Sequence, residues 1–314
     1  MRLRVLVAGA GAVGSVVGGL LARAGHLVAL LGRRPHLDAI AARGLAIEGL
    51  WGEHRARNLV VAASVEELAG PYDAILLTVK SYDTADMLAA VAPFLAADGS
   101  AIALQNGLGN VERVAAAVGA ERALGGRVIF GAVVPAPGVV RVTVFADPIA
   151  LGSAVGGVAA SEERARAWTA RFASAGIPTE HTDALQAHLW TKVFYNAALN
   201  PLGALLGRPY GALAADDDGR AIMDAVIDEC FAVARARGVA PLVPDADAYR
   251  AIFYGRLVPA TADHRSSMLQ DLERGRRTEI EAINGCIWRY GCEAGIPTPV
   301  NATMTRLVRF RERS

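Results

Sequence analysis

The sequence predicts an α/β amino-terminal domain built on a doubly wound parallel sheet, followed by an all-α carboxy-terminal domain. Three observations carry that expectation. Short apolar runs alternate with helical stretches through the first half, a glycine cluster separates the first strand from the first helix, and strand signals vanish beyond Thr182. The 314 residues suffice for two domains, each able to bury a core. With 53% hydrophobic and 20% charged residues, the composition excludes a disordered chain. Thirty-two basic against 31 acidic residues argue against a protein built around nucleic acid or an acidic membrane surface.

Residues 3–8 form an uninterrupted apolar run, fit for a central parallel strand. Residues 13–24 read as a helix stopped by Gly25, 27–31 as the next strand, and 37–43 as a helix ending at Gly44. Strands at 74–79 and 101–104 bracket a helix over 84–94. Runs at 128–134, 139–145 and 149–151 carry few helix signals between them and predict antiparallel strands extending the sheet. From Asp183 onward the pattern is helical, at 185–199, 220–237, 245–256, 279–294 and 301–310. The domains are therefore placed at residues 1–182 and 183–314, with a ligand cleft expected between them. Residues 5–22 carry no charge and resemble a signal peptide, but the five glycines within mark a strand, a turn and a helix of a cytoplasmic protein. Cys230, Cys286 and Cys292 fit neither a disulfide framework nor a zinc site and read as three buried thiols.

Gly9-Ala10-Gly11-Ala12-Val13-Gly14 is G-x-G-x-x-G placed between a strand and a helix, the context in which the pattern binds a dinucleotide. Gly9 allows the tight turn, Gly11 leaves room for the pyrophosphate, and Gly14 lets helix and strand approach. The helix N-terminus adds free N–H groups and partial positive charge. The second strand ends in Leu31-Gly32-Arg33-Arg34, where NAD-binding proteins usually carry a carboxylate. Arg33 suits a 2′-phosphate, so the expected cofactor is NADP(H), whereas Arg34 reads as a solvated charge. Lys80 and Asn106 stand at the ends of two further strands, where open α/β sheets bind ligands.

A second signal lies in the helical half. His188, Lys192, Asn196 and Asn200 follow steps of four, a polar ridge drifting about 40° per step on an otherwise apolar helix. Pro201 is expected to end that helix. A lysine on a buried helix needs a partner or a task. Ser267 and Thr278 read as helix caps in Ser-x-x-Gln and Thr-x-x-Glu spacing. Asp216-Asp217-Asp218 fits the helix dipole better than a metal, His264 reads as a helix-entry residue, and Arg306, Arg309, Arg311 and Arg313 as a solvated face. No metal is expected.

Gly9–Gly14, Val79-Lys80, Gln105-Asn106-Gly107, Lys192-x3-Asn196-x3-Asn200-Pro201, Ser266-Ser267-Met268 and Thr278-Glu279-Ile280-x3-Asn284-Gly285 occur in an order that resembles the ketopantoate reductases (2-dehydropantoate 2-reductases). The resemblance spans nearly the whole chain. It implies a Rossmann-type N-terminal domain and an all-α C-terminal domain, the 6-phosphogluconate-dehydrogenase-like arrangement. It further implies NADPH-dependent reduction of 2-dehydropantoate to D-pantoate on the route to pantothenate and coenzyme A. On matching positions Lys192 becomes the catalytic acid and Glu279 a second catalytic group that also supports the cofactor. Asn106, Asn196, Asn200 and Ser267 become substrate contacts. Gly9, Ala10, Gly11, Ala12, Val13, Gly14, Arg33, Lys80 and Asn106 become cofactor contacts. His264 stands where relatives often have Asn, and Val142 where some carry a polar residue.

Charge development gives the expected mechanism. Hydride transfer to a ketone carbon builds negative charge on oxygen, which a lysine can stabilise and protonate. Burial lowers a lysine pKa from about 10.4, and a carboxylate such as Glu279 would oppose the fall, so a cationic Lys192 is expected. The alternatives are an NADP-dependent reductase of another 2-oxo acid, a non-catalytic NADP-binding sensor, and an opine-type dehydrogenase. The sensor would need no Lys–Asn–Asn ridge. Monomer and homodimer both remain open.

Overall fold

Strand β1 (Arg4–Ala8) lies at the centre of an eight-stranded sheet, and its residues Val5 to Ala8 have no exposed surface. Burial of that kind contributes roughly 1.5–3 kcal/mol per large aliphatic side chain and leaves no polar face to alternate with. β2 (Leu27–Leu31) and β6 (Tyr72–Leu77) flank β1 in parallel register. β5 (Leu59–Ala62) follows β2 outward, while β7 (Leu95–Ala103) and β8 (Ala123–Arg127) follow β6, all parallel. The strand order therefore reverses between β1 and β6. β11 (Ile149–Ser153) pairs antiparallel with β8, and β12 (Thr179–His181) closes that edge.

The computed structural model describes all 314 residues and divides them into two units, one of residues 1–105 with 110–185, the other of residues 106–109 with 186–314. The first holds a second sheet that the sequence reading did not separate. β3 (Leu45–Gly49) and β4 (His54–Ala56) join β9 (Phe130–Ala136) and β10 (Val139–Phe145) in the order β4-β3-β10-β9. Thus β11 alone of the three expected extra strands extends the main sheet. Helix α1 (Ala12–Arg23) packs against β1 and β2 and also against the small sheet. Lying between two apolar surfaces, it is buried continuously from Gly14 to Ala22, which accounts for the uncharged stretch. α2 (His36–Arg43), α3 (Thr84–Val91), α4 (Asn110–Val118) and α5 (Ala159–Ser174) complete this unit.

Helix α6 (Leu185–Leu206) is the long axis of the second unit, with Phe194, Ala197 and Leu199 fully buried. Phe194 packs on Phe231 and Tyr249 at ring distances of 4.6 and 5.7 Å. Pro201 lies inside α6, not at its end. Around it lie α7 (Tyr210–Ala214), α8 (Asp217–Ala236), α9 (Ala246–Ile252), α10 (Ser267–Glu273), α11 (Asn284–Ala294) and α12 (Pro299–Arg311). Asp216 caps α8 by accepting from Gly219 N, and Asp217 and Asp218 lie in its first turn, where the helix dipole favours acids. No helix is long and apolar enough to cross a membrane.

Candidate active site

Gly9 to Gly14 follow β1 at the strand-order reversal, where the carboxyl ends of β1 and β6 open a crevice. Gly9 has φ +116°, and a Cβ there would meet Val79 N at 2.5 Å. At Gly14 a Cβ would lie 2.3 Å from Gly9 O. Around Gly11 it would meet nothing within 4 Å. The three glycines thus differ: two are required by the fold and one faces open space. The first intrahelical bond of α1 is Ser15 N to Gly11 O, so the N–H groups of Ala12, Val13 and Gly14 have no helical acceptor. No side chain caps them, and no acid occupies the first turn. This cradle fits a dinucleotide pyrophosphate.

Thr78 completes the turn by donating its hydroxyl to Gly9 O at 2.7 Å, a role the sequence reading missed. A lone hydroxyl in an apolar strand was its only signal. Beyond it Lys80 is half-buried at the end of β6. Arg33 is exposed at the end of β2 with no carboxylate partner. Arg34 instead pairs with Asp38 at 2.8 Å and reaches Glu67 at 3.8 Å. Ser15 Oγ lies 3.1 Å from His36 Nε2, and His36 Nδ1 accepts from Gly138 N at 3.0 Å. Burial lowers the His36 pKa.

In the second unit Lys192 Nζ donates to Asn106 Oδ1 at 2.5 Å. The loop carrying Asn106 is tied to a 3₁₀ turn, Ile280–Ala282, by a bond from Leu108 N to Ala282 O of 2.9 Å. Gly107 has φ +87°, and a Cβ there would meet Ala282 O at 2.5 Å. Glu279 heads this turn, 8% exposed. One loop thereby gathers Lys192, Asn106 and the turn of Glu279. Thr278 Oγ1 accepts from Ile280 N at 3.2 Å, and Thr278 N donates to Glu312 at 2.7 Å, fixing the backbone beside Glu279. Neighbouring Glu281 makes two bonds to Arg309, which hold its carboxyl below the usual range. Arg309 is therefore paired, a departure from the expected solvated face.

Asn196 is 8% exposed, yet its amide pairs with no group of the chain. Asn200 is pinned: Tyr210 donates to its Oδ1 at 2.6 Å, and Ser266 Oγ donates to its main-chain O at 3.2 Å. That leaves the Nδ2 of Asn200 as the free end, a donor. Burial pushes the Tyr210 phenol well up, so it remains a hydrogen donor. Tyr210 was not visible to sequence reasoning. The cap of α10 is Ser266, which accepts from Leu269 N at 3.0 Å; Ser267 is exposed at the first helical position, one residue from the expected capping role. His264 is half-buried, its ring 5.2 Å from that of Tyr210. Cys230 and Cys286 are buried but Cys292 is exposed, unlike the expectation for all three. No three His, Cys, Asp or Glu side chains gather in a form that could hold a metal.

A backbone cradle where the strand order of a parallel sheet reverses is the arrangement in which open α/β folds take a dinucleotide. The chain is a nicotinamide-dependent oxidoreductase. Comparison identifies the kind. The family model described as "Ketopantoate reductase PanE/ApbA" matches residues 5–156, and "Ketopantoate reductase PanE/ApbA C terminal" matches residues 184–312. The chain belongs to the ketopantoate reductase family. It is 38% identical over 312 residues to the 2-dehydropantoate 2-reductase of Aquifex aeolicus, covering 99% of this chain and 98% of that one. A crystal structure of a PanE/ApbA family ketopantoate reductase from Ralstonia eutropha superposes with TM-score 0.88 at 34% identity, covering 99% of each chain. A D-mandelate dehydrogenase in ternary complex with NADH and anilino(oxo)acetate also reaches TM-score 0.88, at 26% identity and 99% coverage of each.

Proposed function

We propose that this chain reduces 2-dehydropantoate to D-pantoate with NADPH, and that Lys192 is its proton donor. The observation that carries the assignment of Lys192 is the 2.5 Å bond from its Nζ to Asn106 in the loop tied to the turn of Glu279. When bound, the reduced nicotinamide supplies hydride. The protein's part is to hold the ketone and to answer the charge growing on its oxygen.

Asn106 accepts one ammonium proton and so orients the other N–H bonds. One of their protons stabilises the developing alkoxide and then moves to it, leaving a neutral amine. Glu279 supports the charged form of Lys192 before the transfer. Asn196 and the free Nδ2 of Asn200 donate to the carboxylate and hydroxyl of the substrate, with Ser267 as a further contact. The open N–H groups of α1 receive the pyrophosphate, Lys80 lies on the cofactor side, and Arg33 grips the 2′-phosphate that NADP carries and NAD lacks. Both substrates are small metabolites, which favours action in the cytoplasm without nucleic acid or membrane partners.

A second reading, reduction of another 2-oxo acid, draws support from the structural likeness to a D-mandelate dehydrogenase. Loss of NADPH absorbance with 2-dehydropantoate and with a panel of aliphatic and aromatic 2-oxo acids separates the two. The first reading requires the highest kcat/KM with 2-dehydropantoate and is abandoned if an aromatic acid is preferred.

A further inference from the structure

The mechanism leaves unused a buried polar chain that starts in the middle of α6. Pro201 has no N–H, so the carbonyl of Ala197, four residues earlier, lacks its helical donor. The helix still runs to Leu206. Asn284, the first residue of α11, fills the gap: its Nδ2 donates to Ala197 O at 3.0 Å and to Asn301 Oδ1 at 3.0 Å. Asn301 Nδ2 in turn donates to Glu229 Oε2 at 2.7 Å. Glu229 also accepts from the main-chain N–H groups of Val300 and Asn301 at 2.8 and 2.9 Å, which pins it to the start of α12.

Every bond in this chain has a set direction. A carboxylate accepts, so Asn301 turns its NH₂ toward Glu229 and its oxygen toward Asn284. Asn284 must then present its own NH₂ to Asn301 and Ala197. The Oδ1 of Asn284 pairs with nothing, although Asn284 has no exposed surface. Leaving a buried acceptor empty is unfavourable, so the residue is explained by its donor end.

We propose that Asn284 is a positioning residue for the reductase: it supplies the donor that Pro201 removes, and the Glu229–Asn301–Asn284 relay holds the path of α6 where Asn196 and Asn200 stand. Without it the Ala197 carbonyl would be buried and unpaired, and the helix would bend at the proline. The functional part rests on Asn196 and Asn200 as substrate ligands.

The test is a double-mutant cycle between Asn284→Ala and Pro201→Ala, read by kcat/KM and by Tm. In the natural background Asn284→Ala is expected to raise KM for the 2-oxo acid and lower kcat/KM by about 30-fold, with Tm lower by about 3–6 °C. In the Pro201→Ala background, where residue 201 again has an N–H for Ala197 O, the same change is expected to lower kcat/KM by less than about 3-fold and to lower Tm by less than in the natural background, the remaining loss being the unpaired Asn301 Oδ1. A residue serving only to fill space would show equal losses in both backgrounds, and that outcome overturns the proposal. So does an Asn284→Ala enzyme of normal activity. If Asn284→Ala alone fails to fold, the double variant must recover the fold, and its failure overturns the proposal as well. Should the natural chain reduce no 2-oxo acid, the assigned ligand roles fall, while the Tm cycle still decides whether Asn284 replaces the lost bond.

Discussion

Helices α1 and α6 each leave main-chain groups without a helical partner, and the protein treats the two gaps in opposite ways. At α1 the N–H groups of Ala12, Val13 and Gly14 lack acceptors, and no side chain covers them. At α6 the Ala197 carbonyl is orphaned by Pro201, and Asn284 reaches in to satisfy it. A gap left open beside room that a side chain could occupy is a place for a ligand; a gap filled by a buried amide is part of the scaffold. The same contrast recurs between Asn196, whose amide is unpaired, and Asn200, whose oxygen is held by Tyr210.

The largest expected effect tests what the α6 scaffold is for. Lys192→Ala should lower kcat/KM by about 10³-fold or more, ~4 kcal/mol of transition-state stabilisation, with Tm nearly unchanged. Retention of near-normal kcat/KM would require another acid. Next, Gly11→Val should weaken NADPH binding by about 100-fold in a fluorescence titration without lowering Tm. Gly14→Ala should instead lower Tm, because its Cβ would clash with Gly9 O. If the two variants behaved alike, the distinction between open and filled space at the turn would be lost. Arg33→Ala is expected to raise KM for NADPH by about 30-fold while leaving KM for NADH unmoved, whereas a clear NADH preference in the natural chain would contradict the assignment. Asn196→Ala should raise KM for the 2-oxo acid by about 10-fold at constant Tm, since the amide loses no partner, and Tyr210→Phe should have a smaller effect by freeing the Asn200 oxygen.

The smallest effect concerns pH. Burial lowers the pKa values of His26, His36 and His264 below the reference 6.5. The unfolded chain then binds more protons than the folded one below pH 6.5, so their contribution to stability is complete above that value and is lost as pH falls through the folded pKa values. Tm should decline as pH drops from 6.5 toward 5, and His36→Gln should flatten part of that slope. A Tm independent of pH across this range would contradict it.

The open gap was legible in the sequence and the filled one was not. A cradle made of backbone is written as glycines at fixed spacing, so Gly9, Gly11 and Gly14 declared it locally. The strand 27–31 and the run 139–145 were read with their observed bounds, because burial imposes their apolar pattern. Sorting β9 and β10 into a separate sheet depended on partners near residue 46, a long-range pairing that periodicity cannot express. Pro201 was read as a stop because its partner lies 87 residues beyond Ala197. The cap of α10 was misplaced by one residue because Ser266 and Ser267 are chemically identical and only Ser266 is turned inward. Lys192 stood out on its helix, but its bond to Asn106 joins residues 86 apart.

The pairing of an imino acid at 201 with an amide at 284 also constrains descent. The two positions cannot drift in either order: a lineage that loses the amide first carries an unanswered carbonyl, whereas one that loses the ring first carries an amide relieved of that task and bonded only to Asn301. The passable route removes the ring before the amide, so relatives lacking the proline should tolerate many residues at 284, while those retaining it should keep a side chain with a hydrogen to offer.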